Sequence, residues 1–197
     1  MPKKTKTQNL SREDVAQKAL NLSEALGWSH LTMRDIADEC DISLADLQKL
    51  VCDKQDVLCA LGRLIDHRTL QEIGSGGAQD VSGSARDRVF EIMMARFDVL
   101  NDYRAGLISI LESFKTDPKP ALLSLPHLGN SMHWMLEAAG LETNDLRGSA
   151  RIIGLTAIYL QVLKTWREDE SEDLSKTMAA LDKHLARVER FAESFNL

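Results

Sequence analysis

An all-α fold is what this sequence predicts, on three observations. Apolar residues recur at three- and four-residue spacing along most of the chain, no alternating run is long enough for a strand, and one start signal opens helix after helix. That signal is a Ser, Thr or Asp followed three residues later by an acid. In this capping box the first side chain takes an N-terminal amide and the acid reaches back to the cap's own N–H.

The chain has 197 residues, 44% of them hydrophobic and 27% charged, with a formal charge of -6. That composition supports a core without covalent staples, and the charge gives no general attraction to nucleic acid or anionic membrane. Cys40, Cys52 and Cys59 form no C-x-x-C motif, which suits a reducing cytoplasm. The opening MPKKTKTQNL lacks the apolar stretch of a leader. The most apolar run, Ser149 to Leu163, contains Arg151 and Gln161, so neither secretion nor a membrane span is expected.

Residues 1–10 read as a solvated basic tail around Lys3, Lys4 and Lys6, with a groove-reaching arm as the alternative. Ser11 and Asp14 open the first helix; Val15, Ala19, Leu22 and Leu26 share one face, and Gly27 stops it. Thr32 with Asp35, and Ser43 with Asp46, open two short helices joined by a tight turn. Each adds a hydrophobic staple, Leu31 with Ile36 and Ile42 with Leu47, so the stretch reads as a helix-turn-helix. A fourth start at Asp53, with Asp56 and Val57, runs on through Leu58, Leu61 and Ile65. The segment GSGGAQDVSGS, residues 74–84, reads as a linker between a domain at 11–73 and another at 85–197.

From Ala85 the stripe Val89, Phe90, Met93, Met94, Phe97 and Leu100 continues through Tyr103, Leu107, Ile110, Leu111 and Phe114. Pro118, Pro120 and Pro126 interrupt it, and a shorter helix resumes about Ser131 and stops at Gly140. Two long helices follow, about Asn144 to Arg167 and Ser171 to about Phe195. The first is apolar nearly all round and is expected to pack on two sides; the second carries the stripe Leu174, Met178, Leu181, Leu185, Val188 and Phe191.

Leu26-Gly27-Trp28, Leu31-Thr32-Met33-Arg34-Asp35-Ile36-Ala37, Ile42-Ser43, Leu47, and Lys54 with Val57-Leu58 resemble the N-terminal domain of TetR-type transcriptional regulators, over about residues 11–62. The resemblance implies a TetR-like fold: a three-helix helix-turn-helix domain followed by a helical ligand-binding and dimerisation domain. It implies a homodimer through residues about 144–195 and double-stranded DNA as partner, contacted by Thr32, Ser43, Gln48, Lys49 and Lys54. Gln48 has the side chain for a bidentate contact to adenine. The implied activity is repression, relieved when an apolar small molecule binds. The DNA-facing surface departs from the family, with Leu44, Ala45, Asp46, Leu50 and Val51 at its positions and the phosphate-gripping tyrosine absent. Between residues 11 and 60, five Lys or Arg stand against ten Asp or Glu, the wrong sign for a phosphate surface.

Arg86-Asp87-Arg88, and Trp166, Asp169, Ser171, Glu172, Thr177, Ala179, Leu181 and Asp182 at their spacing, resemble the C-terminal half of the coenzyme Q accessory family. Those lipid-binding proteins have a TetR-like fold and are not repressors. The alternative function is thus a lipid-binding accessory or scaffold protein whose helix-turn-helix no longer binds DNA. Asp169 and Ser171 are expected to cap the last helix, with Ser171 as its N-cap.

Met93, Met94, Phe97, Met132, Trp134 and Met135 are the candidate ligand-binding residues, because methionine and ring side chains mould around a flexible apolar molecule. Filling the core is the plainer use of the same residues. His127, His133 and His184 lack ligand spacing, so no metal is expected, and nothing implies a cofactor. Asp87, Asp98 and Asp102 near Arg86, Arg88, Arg96 and Arg104 suggest ion pairs along helix faces. There is no phosphate-cradling glycine loop, no G-x-S-x-G and no cysteine with a basic partner, so no enzyme activity is expected.

Overall fold

The computed structural model describes residues 10–75 and 83–194, so the basic tail's lysines and residues 76–82 of the glycine-rich segment lie outside the described residues, as does the side chain of Phe191. The described residues form nine helices and no strand: α1 (Arg12–Leu26), α2 (Met33–Glu39), α3 (Leu44–Leu50), α4 (Lys54–Ser75), α5 (Ala85–Asp102), α6 (Arg104–Thr116), α7 (Lys119–Ala138), α8 (Leu146–Glu168) and α9 (Ser175–Ser194). They group into two compact units. The first is the chain through Leu64 together with Tyr103–Ser124; the second is Ile65–Asp102 together with the chain from Leu125 onward. The division therefore differs from a cut at residues 74–84. Gly74 and Ser75 are the last turn of α4.

In the first unit the capping code works at the atomic level. Ser11 donates from its N–H and hydroxyl to Asp14 Oδ2 at 2.8 and 2.7 Å, and Thr32 does the same to Asp35 Oδ2 at 2.8 and 2.6 Å. At α3 only half of the box forms. Ser43 Oγ takes the Asp46 N–H at 3.1 Å, while the Asp46 carboxylate holds Lys49. Asp53 takes the Asp56 N–H at 2.9 Å to start α4.

The buried face of α1 is Val15, Ala16, Ala19, Leu20 and Ser23; Leu22 is half-buried and Leu26 is exposed, a rotation away from the expected face. The reason is α6, which packs on α1 through Gly106. A Cβ on Gly106 would lie 2.5 Å from the Leu20 carbonyl oxygen, so only glycine permits this approach. Around it Ser23 Oγ donates to the Gly106 carbonyl at 3.2 Å, the Trp28 N–H donates to Ser109 Oγ at 2.8 Å, and Tyr103 donates to Gln17 Oε1 at 3.0 Å. Leu31, Ile36, Leu47, Val51 and Val57 complete the core.

The helical run expected from Ala85 to Phe114 breaks at Tyr103, whose backbone (φ -116, ψ 18) is not helical. Residues after the break belong to the first unit and those before it to the second. α5 opens with a box missed in the linker: Ser84 donates from its N–H and hydroxyl to Asp87 Oδ2 at 3.1 and 2.8 Å. The interruption expected from the prolines occurs at Pro118, between α6 and α7, but not at Pro120 or Pro126, since α7 runs unbroken from Lys119 to Ala138. Pro120 sits in the first turn, where its missing N–H has no intrahelical acceptor to lose. Pro126 forfeits one intrahelical bond, on an exposed face of the helix.

In the second unit Asp145 caps α8 through the Gly148 N–H at 2.5 Å. The buried side of α8 is Leu155, Ile158, Tyr159, Val162 and Trp166, so Trp166 is core within this unit. Exposed Leu146, Ile153 and Leu160 form a second, seven-residue row on the same helix, with Ala150 and Ala157 between them. α9 begins at Ser175 and not at Ser171. The loop before it folds around Asp169, which takes the N–H groups of Ser171 (3.1 Å) and Thr177 (2.8 Å) and both their hydroxyls (2.5 and 2.7 Å). Leu174, at φ 51, turns the chain into the helix. The α9 stripe divides: Leu181 and Leu185 are buried, Met178 and Val188 exposed.

Candidate functional site

The helix-turn-helix places its expected DNA residues in three different situations. The hydroxyls of Thr32 and Ser43 are occupied as caps, donating to Asp35 and Asp46 at 2.6 and 2.7 Å. The Thr32 bonds hold the Asp35 carboxyl below its usual range. Gln48 and Lys49 are exposed on α3, but the Lys49 ammonium pairs with Asp46 at 2.7 Å and thereby lowers that carboxyl too. Lys54 turns inward. It is half-buried, donates to the carbonyl oxygens of Trp28 and, at 3.0 Å, Leu31, and lies 4.8 Å from the centre of the Trp28 ring. Burial pushes its ammonium pKa down. Its role here is to tie the α1–α2 connection to the start of α4.

Beside Lys54 the first unit carries an open groove of about 470 Å³ whose walls include Trp28, Lys54, Leu58, Thr116, Lys119 and Leu123. Its polar groups are largely used within the protein, as where Gln55 Nε2 donates to Ser124 Oγ at 2.9 Å.

In the second unit four of the six candidate ligand residues, Met93, Phe97, Met132 and Met135, are fully buried, and Met94 is half-buried. Trp134 departs from the expectation. It is 54% exposed and edge-on to His133, because the buried stripe of α7 is Ser131, Met132, Met135 and Leu136 and a residue two after Met132 points away from it. Phe97 stacks on Tyr159 with ring centres 5.6 Å apart.

Among these apolar groups lies a charged residue that sequence reasoning assigned to a surface pair. Arg96 is 2% exposed and donates from Nη1 to Asp66 Oδ1 at 2.5 Å, across to α4 and not along α5 to Asp98 or Asp102. Asp66 Oδ2 accepts the Ser131 hydroxyl at 2.7 Å, and the guanidinium lies 5.4 Å from the Tyr159 ring centre. The available signal was a cation set in the Met93–Phe97–Leu100 stripe. Arg86 likewise reaches across, to Asp182 of α9 at 2.5 Å, and Arg88 donates to the Ala139 carbonyl at 2.7 Å. No group of His, Cys, Asp or Glu among the described residues is arranged to hold a metal ion. No helix among them is long and apolar enough to cross a membrane.

A helix-turn-helix followed by this order of helices defines an all-α protein of the TetR-regulator fold. The crystal structure of the TetR transcriptional regulator from Nitrosomonas europaea is similar to it with a TM-score of 0.70 and 25% identity, over 89% of this chain and 96% of that one. Residues 121–192 match the COQ9 family model, a stretch that takes in nearly all of α7, the whole of α8 and most of α9. No curated protein sequence matches the chain.

Proposed function

We propose that this chain is a cytoplasmic, non-enzymatic, apolar-ligand-binding protein whose helix-turn-helix is a structural element and not a DNA clamp. The observation that carries this reading is Lys54, whose ammonium is tied to two backbone carbonyls of its own unit and so is withheld from a phosphate. Lys49 is held by Asp46, and the surrounding helices are acidic. Phosphate neutralisation supplies most non-specific affinity for DNA, and this surface has little to offer it. The COQ9 match over residues 121–192 and the buried Met93, Phe97, Met132 and Met135 support a lipid or similar apolar molecule as ligand.

The second reading is a repressor released by that ligand, and the similarity to a TetR regulator along 89% of the chain favours it. Fluorescence anisotropy with the DNA upstream of the chain's own gene, titrated with salt, separates the two. Our reading expects no sequence-specific binding at low salt; tight binding that weakens steeply as salt rises would overturn it. Native mass spectrometry of protein from its host cell should show a bound apolar molecule.

Either reading is compatible with a homodimer. The exposed Leu146, Ile153 and Leu160 row of α8 supports an interface there, since an apolar seven-residue repeat on a helix surface packs well against a second copy of itself.

A further inference from the structure

We propose that Arg96 is the polar anchor of the interior apolar site, and that its ligand carries an uncharged acceptor oxygen, such as a ketone or ester carbonyl, in preference to a carboxylate. This rests on the reading that the interior of the second unit takes an apolar ligand, and it names the class. Arg96 lies on α5 in the same stripe as Met93 and Phe97, and Tyr159, beneath its guanidinium, stacks on Phe97. Its Nη1 is committed to Asp66, and the other Asp66 oxygen is committed to Ser131. The Nε–H is buried and has no acceptor among the described residues. A buried donor left unpaired is costly, so such groups in folded proteins are normally matched by an acceptor.

Charge decides which acceptor. Arg96 and Asp66 neutralise each other, and a carboxylate brought to Arg96 would leave one uncompensated negative charge in the interior, where its lost hydration is not recovered. A carbonyl oxygen takes the free N–H and leaves the ion pair as it is. An alkane has no acceptor and leaves the donor unmatched.

The test uses the full chain with three probes of matched length at neutral pH: methyl undecyl ketone, tridecane and tridecanoate. The ketone should bind about tenfold more tightly than either of the others, the usual worth of one buried hydrogen bond. The infrared stretch of an isotopically labelled ketone carbonyl should move to lower frequency on binding. Arg96→Lys keeps a cation for Asp66 but removes the fixed N–H, and should abolish the ketone's advantage while alkane binding stays the same. Tridecanoate binding as tightly as the ketone, or a labelled carbonyl whose stretch does not move, overturns the proposal while leaving an interior ligand in place. Binding of none of the three overturns the interior-ligand reading and the anchor with it. Should Arg96→Lys not fold, the wild-type preference and the carbonyl shift decide alone.

Discussion

Lys54 and Asp169 each organise a connection by satisfying backbone groups that no helix satisfies. Replacing Lys54 by alanine frees the Trp28 and Leu31 carbonyls and should lower stability by about 1–3 kcal/mol, read as a lower urea midpoint with no DNA present. An unchanged midpoint would return Lys54 to the solvent and to phosphate. Asp169 is buried, which opposes its charge, yet the donors from Ser171 and Thr177 outweigh burial and hold its carboxyl far below the usual range. Asp169→Ala should cost about 3 kcal/mol, since charged buried acceptors are expensive to remove. At this scale the sequence is legible only where partners are neighbours. Arg96 is visible as a cation on an apolar stripe, but Asp66 lies on another helix and no spacing rule joins them.

Helix starts show the same limit from its favourable side. The boxes of α1 and α2 are readable to the residue because Ser or Thr and Asp lie three apart and need nothing else. Ser84 and Asp87 follow the same rule but stand at the edge of a glycine-rich run that reads as linker. At α9 the capping role of Asp169, filled through the Thr177 N–H, was readable, but the helix starts at Ser175, later than the expected Ser171. For α7 the number of prolines matters less than their positions in the helix. Pro126→Ala restores an N–H to the helix interior and should raise the melting temperature; a fall would show that the proline fits a bend the helix needs. Gly106→Val should do the opposite, driving α6 from the Leu20 carbonyl, and a melting temperature equal to wild type would contradict that packing.

For the molecule as a whole, acid should be the damaging direction. Hydrogen bonds from their capping partners lower the carboxyls of Asp14, Asp35 and Asp87, bonds from Cys52 lower that of Asp56, and pairing with Lys49 lowers that of Asp46. Their folded pKa values lie below the unfolded ones, so their stabilisation is present above the ordinary carboxylate range and drains away as pH falls through the folded values. Glu72 and Asp98 are raised, first by burial and then by like charges near them, and their strain is relieved in acid. The lowered group is the larger, so the urea midpoint should fall below pH of about 4; a midpoint that is flat or rising there would reverse the balance. The all-α class was legible throughout, because periodicity is a property of the chain alone, while the break at Tyr103 and the start of α7 at Lys119 were not. The composition of the units was not, because it depends on which faces meet. The proposed dimer belongs to this scale too: Ile153→Asp on the exposed row of α8 should halve the mass seen by sedimentation, and an unchanged coefficient would count against an interface there.

The packing of α6 on α1 through Gly106 also bears on the order of synthesis. The helix-turn-helix leaves the ribosome before Tyr103–Ser124, the segment that closes its unit, which is made only after the Ile65–Asp102 segment of the other unit. Until then α1 has no Gly106 or Ser109 to meet, and the Leu20 side of the nascent helix is bare. Helices α1 to α3 are thus made before α5 but finished after it, and a chain stalled in the glycine-rich segment would present that uncovered face to chaperones.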